Sequence, residues 1–368
     1  MAQLSDLPDE VILAIVNYME AEKGQRNLRN LRNLPFYKWA DFFDYAIRRD
    51  QPQQNKDLRS LYLVSRRFHQ LLKQNYYENI CVREGPFHNQ PLSLDRLKRT
   101  LRDEPNLQTF IISALVPCTT SLYDFFCFYW FPNIQTLSFL RFNAMDPLED
   151  ESGLRQFSGK SPVKALNLIR CGAQEEALAA ILSWPAALEV LHYDAEQGEW
   201  GDFYNEPAKR WTCAAFVRAL QPQRGSLKEL TLTRPWLDHE GLFMGPRIHL
   251  RDFTALTTLR IYHVFLCGED DSLEAWRSLP RCLEELEIFY DDSVLTTFEE
   301  DEFLLGLLVH KKEKLPHLRR ISIVSPEAIW DTEEEEFKPA GRWSPPPPLA
   351  YALQIAGLAL DVQLGIEI

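Results

Sequence analysis

Leu227-Lys228-Glu229-Leu230-Thr231-Leu232-Thr233, Leu256-Thr257-Thr258-Leu259-Arg260-Ile261-Tyr262 and Leu283-Glu284-Glu285-Leu286-Glu287-Ile288-Phe289 are three copies of one template. An apolar residue is followed after two positions by a second, and after one more by a third. Working outward, the template also fits Leu107-Phe110-Ile112, Ile134-Leu137-Phe139, Val163-Leu166-Leu168, Leu188-Leu191-Tyr193 and Leu318-Ile321-Ile323, which makes eight copies. Successive starts differ by 27, 29, 25, 39, 29, 27 and 35 residues. Alternation with period two puts the second and third apolar residues on one face of a strand. Between the strands, Gln174–Ser183, Thr212–Leu220 and Phe298–Val309 can form return helices. One strand with one return cannot bury itself, so the copies are expected to stack with parallel strands. A doubly wound α/β sheet shares these local signals, but repetition of a single template favours the stack.

Period and template resemble leucine-rich repeats over most of the chain after residue 100. The resemblance implies a solenoid whose sheet presents the residues between the buried leucines. The later strands then offer a candidate cargo face of His192, Asp194, Arg260, Tyr262, Glu285, Glu287 and Phe289. Aromatic anchors beside charges suit a protein interface, although an ordinary solvated sheet face would read the same way. The slot that regular repeats fill with Asn or Cys keeps only Cys171, so the turn ladder of asparagines is absent and irregular curvature is expected. Inserted loops are expected around Glu196–Pro207 and Phe298–Leu315. Trp343–Pro348 should be an extended polyproline spacer, and Leu360–Leu364 a last strand capping the stack.

Ahead of the repeats, Leu4–Met19 and Asp57–Leu72 read as two helical segments separated by an insert. Pro8 suits the first position of a helix, and Asp9 and Glu10 oppose the positive end of its dipole. Val11, Ile12, Leu13, Ile15, Val16, Tyr18 and Met19 are too many for one stripe, as are Leu58, Leu61, Leu63, Val64, Phe68, Leu71 and Leu72. Both sides of each helix therefore call for burial, within a core or against a partner. The Leu-Pro start and Leu63-Val64-Ser65-Arg66-Arg67-Phe68 resemble the F-box, which docks onto the Skp adaptor of Skp–cullin–F-box ubiquitin ligases. The resemblance implies adaptor contacts from Leu7, Pro8, Ile12, Ile15, Leu61, Val64 and Phe68. The family usually keeps the two halves a few residues apart, whereas here residues 20–56 intervene, carrying aromatics that argue for packed structure.

Residues 23–76 hold 12 Lys/Arg against 4 Asp/Glu in a chain of net charge −13. An acidic adaptor suits that basic patch better than nucleic acid, which the acidic remainder would repel. At 368 residues, 45% apolar and 12% aromatic, the chain can bury a large core. The apolar run Phe125–Phe131 is too short to span a membrane, and 349–360 also falls short. No secretory signal is read at the start. Seven cysteines without a CxxC pair fit a reducing compartment, so a soluble protein of the cytoplasm or nucleus is expected.

None of HExxH, Gly-x-Ser-x-Gly, GxxxxGK[ST] or GxGxxG occurs. His310 and His317 lack a third ligand, and the spacings of Cys118 with Cys127 and of Cys267 with Cys282 do not suit zinc knuckles. The expectation is a non-enzymatic α/β protein without cofactor or metal. It comprises a small N-terminal helical F-box at 1–80, with its insert at 20–56, and an irregular leucine-rich-repeat solenoid with a parallel sheet at 81–368. As in F-box/leucine-rich-repeat proteins of the fungal type, it would be the substrate receptor of a Skp–cullin–F-box ligase. The adaptor and, through it, a cullin are the expected partners, with a protein target that carries a basic segment suited to Glu285, Glu287 and the acidic runs 299–302 and 331–336. A scaffold that holds the adaptor without a cullin is the alternative.

Overall fold

The computed structural model describes residues 79–84, 109–114, 134–140, 143–144, 158–173, 175–195, 212–233, 246–268, 272–290, 302–325, 330–331, 336–337, 341–343, 345 and 347–364. The chain divides into two compact units. The first holds strands β1 (Asn79–Glu84), β2 (Thr109–Ala114) and β3 (Thr136–Leu140), paired in parallel in that order. Strand β1 crosses the expected boundary at residue 80. Ile80 and Val82 sit opposite Phe110 and Ile112, so Tyr77-Ile80-Val82 is a further copy of the template, 30 residues before the first one recognised.

The second unit is a parallel sheet of β4 (Asn143–Ala144), β5 (Ala165–Ala173), β6 (Val190–Ala195), β7 (Glu229–Thr233), β8 (Thr258–Tyr262), β9 (Glu285–Phe289), β10 (Arg320–Ser325) and β14 (Ala359–Leu364). A short hairpin, β11 (Trp330–Asp331) with β12 (Glu336–Phe337), comes between β10 and β14 in sequence. Strand β13 (Gly341–Trp343) then pairs antiparallel along the outer side of β14. Within each unit, each template strand lies beside the next in sequence, without the reversal of order that defines a doubly wound sheet.

The register follows the template residue for residue. Leu166, Leu191, Leu230, Leu259, Leu286, Ile321 and Leu360 form one row, and Leu168, Tyr193, Leu232, Ile261, Ile288, Ile323 and Val362 form the next. From Val163 to Ile323, every template residue of this unit is at most 1% exposed. Each buried leucine of this kind is worth roughly 1.5–3 kcal/mol relative to exposure.

The strand starts repeat one hydrogen-bond pattern. The carbonyl of Lys164 accepts the N–H groups of both Glu189 and Val190, and that of Glu189 accepts those of Lys228 and Glu229. Lys228, Thr257 and Glu284 do the same for the next three strands. Side chains at these positions pair across the rungs. Glu189 takes Lys164 at 3.2 Å and Lys228 at 2.7 Å, and Arg319 takes Glu284 at 2.9 Å.

Helices lie over the leucine face. Helix α1 (Glu175–Ser183) places Glu175 and Glu176 in its first turn and buries Ala177, Leu178, Ile181 and Leu182. Thr212 caps α2 (Cys213–Leu220), its hydroxyl accepting the Ala215 N–H at 3.1 Å. Phe216 of α2 meets Tyr193 of the leucine face with ring centroids 5.4 Å apart. A single 3-10 turn, Gln221–Gln223, continues α2. Here the buried Gln223 satisfies the backbone groups of the turn with its side chain. Its amide donates to the Leu182 and Pro185 carbonyls at 2.8 and 3.0 Å and accepts from the Leu188 N–H and the Ser226 hydroxyl, each at 2.9 Å. All four hydrogen-bonding sites of the amide are used.

The later returns are α3 (His263–Cys267), a 3-10 segment at Ser272–Ser278, α4 (Glu302–Lys314) and α5 (Pro347–Ala356). The expected loop at Phe298–Leu315 is therefore largely helix. The expected proline spacer is not extended throughout: Trp343 lies in β13, and Pro347 and Pro348 open α5, where their missing N–H groups have no helical partner to lose. Gly357 ends α5 at φ 63°, a left-handed conformation that glycine adopts without strain, and Leu358 N–H reaches back to the Leu353 carbonyl at 2.9 Å. The tail strand forms as expected, but β13 rather than β14 is the outermost strand. The other expected insertion, Glu196–Pro207, lies outside the described residues.

Candidate functional site

Alternation turns the residues between the leucines to the opposite face, where the register lines them up in rows. The middle row reads Asn167, His192, Thr231, Arg260, Glu287, Ser322 and Asp361. The row before it reads Ala165, Val190, Glu229, Thr258, Glu285, Arg320 and Ala359. Beyond the middle row, Tyr262, Phe289, Val324 and Gln363 continue the face across the late strands.

The two ends of this face differ. Asn167, His192, Asp194, Thr231 and Thr233 are buried. His192 Nε2 lies 3.4 Å from the Thr233 hydroxyl, and burial, with Arg260 as a lesser cause, lowers the imidazole pKa to about 3. The ring is neutral at pH 7. On the late strands Arg260 and Glu287 pair at 3.0 Å with 24% of each side chain exposed. Burial pushes the Glu287 carboxyl upward, and the neighbouring Arg260 offsets part of that push. Arg320 reaches Asp361 at 3.6 Å, and Glu285 lies 3.4 Å from Arg319. Tyr262, half-buried, packs its ring 5.7 Å from Phe289 and 6.4 Å from Phe265. The result is a partly exposed mosaic of both charges around an aromatic, chemistry that suits a polypeptide partner.

Of the cargo residues expected from sequence, Arg260, Tyr262, Glu285 and Glu287 come together at partial exposure. His192, Asp194 and Phe289 do not present themselves, being buried at 3%, 5% and 0% exposure. The alternating pattern identifies one buried face and is silent about cover on the other. Ile169, Phe289 and Val324, apolar on that second face and buried, are the signal that could have shown it. Arg320 and Asp361 join the late patch, although the latter comes from the tail strand, 36 residues beyond the end of β10. The adaptor residues Leu7, Pro8, Ile12, Ile15, Leu61, Val64 and Phe68, and the insert at 20–56, lie outside the described residues.

Two buried cysteines lie outside these rows. Cys267 Sγ is 3.2 Å from His263 Nε2, and that ring stacks on Tyr290 with centroids 4.5 Å apart. Cys213 is buried, which raises its thiol pKa to about 12, and its sulfur points at the Phe265 carbonyl. Among the described residues, no helix is long and apolar enough to cross a membrane, and no three His, Cys, Asp or Glu side chains are grouped to hold a metal ion. No protein-family model matches the chain, and no curated protein sequence does either.

Proposed function

We propose that the chain is the substrate receptor of a Skp–cullin–F-box ubiquitin ligase. In this reading residues 1–80 form an F-box, interrupted at 20–56, that docks the Skp adaptor through Leu7, Pro8, Ile12, Ile15, Leu61, Val64 and Phe68. The strands beyond it form an irregular leucine-rich-repeat solenoid whose late strands hold a protein target. The observation that supports the receptor half is the unbroken register of template strands, with charges and an aromatic concentrated on one late patch. The adaptor half rests on the quoted N-terminal sequence.

The chain itself catalyses nothing in this reading. It works in the cytoplasm or nucleus by holding a target near a ubiquitin-loaded partner, which raises the local concentration of the acceptor lysine. Glu285 and Glu287 favour a basic segment on the target.

The test is co-expression with a Skp-family adaptor, wild type beside a Leu7→Ala, Pro8→Ala double variant, followed by size exclusion. A 1:1 complex lost in the variant is expected. A chain that folds alone and ignores the adaptor overturns the reading. If the adaptor binds but a cullin never copurifies, the protein is a scaffold on the adaptor instead of a ligase receptor.

A further inference from the structure

Among the described residues, the large apolar side chains left exposed are Leu305, Val309, Tyr351 and Ile355, at 47%, 77%, 65% and 69%. They are not scattered. The first two lie four residues apart on α4, the second two four residues apart on α5, and the two helices pack against each other. Residues at that spacing share a helix face, so the four form two short apolar ridges on adjoining helices. Helix α5 carries no charged residue from Pro347 to Ala356, in a chain that is 25% charged, and the only side chain described as buried in it is Leu353. A solvated surface helix normally keeps its outer side polar, and exposed apolar clusters of this kind mark interaction sites.

The charge beside the ridges indicates what covers them. Lys311, Lys312 and Lys314 fill the last turn of α4, and Lys312 continues the Leu305–Val309 ridge by three residues. Glu313 is occupied by Lys314. Among the described residues, Lys311 and Lys312 enter no ion pair. Arg281 approaches the same helix end, donating to the Glu313 carbonyl at 3.5 Å. The border is thus positive on a chain of net charge −13.

The geometry points to a docking surface on α4 and α5 for an acidic amphipathic helix of a partner protein. Its apolar side would lie along Leu305, Val309, Tyr351 and Ile355, with its carboxylates meeting Lys311 and Lys312. Such a helix-on-ridge mode is read by anchors at i and i+4 on both partners. A second copy of this chain fits less well, because two lysine borders would face each other. This surface is separate from the late-strand patch and independent of the adaptor reading.

The experiment uses the full chain and two fluorescein-labelled 16-residue peptides with identical leucine faces, one with glutamates and the other with lysines on the opposite face. Fluorescence anisotropy is expected to show the glutamate peptide binding at least tenfold more tightly, an advantage that shrinks as salt rises. Val309→Glu with Ile355→Glu, both at exposed positions, should weaken it at least tenfold without moving the unfolding midpoint. Lys311→Glu with Lys312→Glu should erase or reverse the preference. Equal affinity for both peptides, binding of neither, or indifference to these substitutions overturns the proposal. A dimer in sedimentation that the Val309 and Ile355 variants dissociate overturns it in favour of self-association.

Discussion

Strands β5 to β7 and strands β8, β9, β10 and β14 share one register yet use the face opposite the leucines differently. On the early strands the middle row of that face is buried and uncharged, with His192 between Asn167 and Thr231, and the return on the leucine side is held by the saturated amide of Gln223. On the late strands the same rows hold Arg260, Glu287, Arg320 and Asp361, partly open and paired across strands. One backbone lattice thus supports a fastened end and an end left available. The fastened end sets position, and the open one has groups to offer.

The hardest test of that contrast is Gln223→Leu. It leaves the Leu182 and Pro185 carbonyls and the Leu188 N–H buried without their partner, at about 1–3 kcal/mol each. A loss of about 3 kcal/mol or more in urea unfolding is expected. A loss below about 1 kcal/mol would mean the early returns are not fastened there.

Acid should reach the early strands next. His192 takes up a proton near pH 6.5 once unfolded and near pH 3 when folded. Stability present at neutral pH is therefore lost as pH falls through that window, by up to about 1.4 kcal/mol per pH unit. Unfolding measured from pH 7 to 4 should show this slope in wild type and a shallower one in His192→Gln. Equal slopes would place the acid sensitivity elsewhere.

A smaller effect is expected on the late patch. Arg260→Gln removes the counter-charge of a carboxyl that burial already pushes upward, so the folded Glu287 pKa should rise further. A raised folded value costs stability as pH rises through it. The variant should lose about 1–2 kcal/mol at pH 7 and distinctly less near pH 4.5, where Glu287 is more nearly neutral. A loss independent of pH would contradict the pairing. Smallest of all, Glu175→Gln removes an exposed bidentate contact to Arg218 at 2.7 and 2.8 Å. Its effect on the unfolding midpoint should be slight and vanish in 0.5 M salt, as exposed pairs are readily screened.

The strand lattice was legible in the sequence because three apolar positions at fixed spacing leave a strand few other ways to be buried. The same template would have revealed β1, had Tyr77 been admitted as its first apolar residue. The returns were read less well. Helices α1 and α2 begin within a residue of expectation, since Glu175 and Thr212 mark their starts, whereas α4 runs on to Lys314, five residues past the expected end at Val309. Three of the seven residues expected on the cargo face, His192, Asp194 and Phe289, are buried for a physical reason: a strand's alternation distinguishes two sides without saying how many are covered. Gln223 was invisible because its role depends on Leu182, Pro185 and Leu188, up to 41 residues away.

The shared carbonyl at each strand start has a consequence for how such a chain can change. Lys164, Glu189, Lys228, Thr257 and Glu284 arrive at equivalent places although 25, 39, 29 and 27 residues separate them. Distance along the chain is erased at every rung. A connection can lengthen or shorten at little cost in closure entropy, and the next strand still meets its neighbour in phase. Each rung answers only to the two beside it, so the face can be revised one strand at a time, like a line of type in which single letters are exchanged without resetting the page.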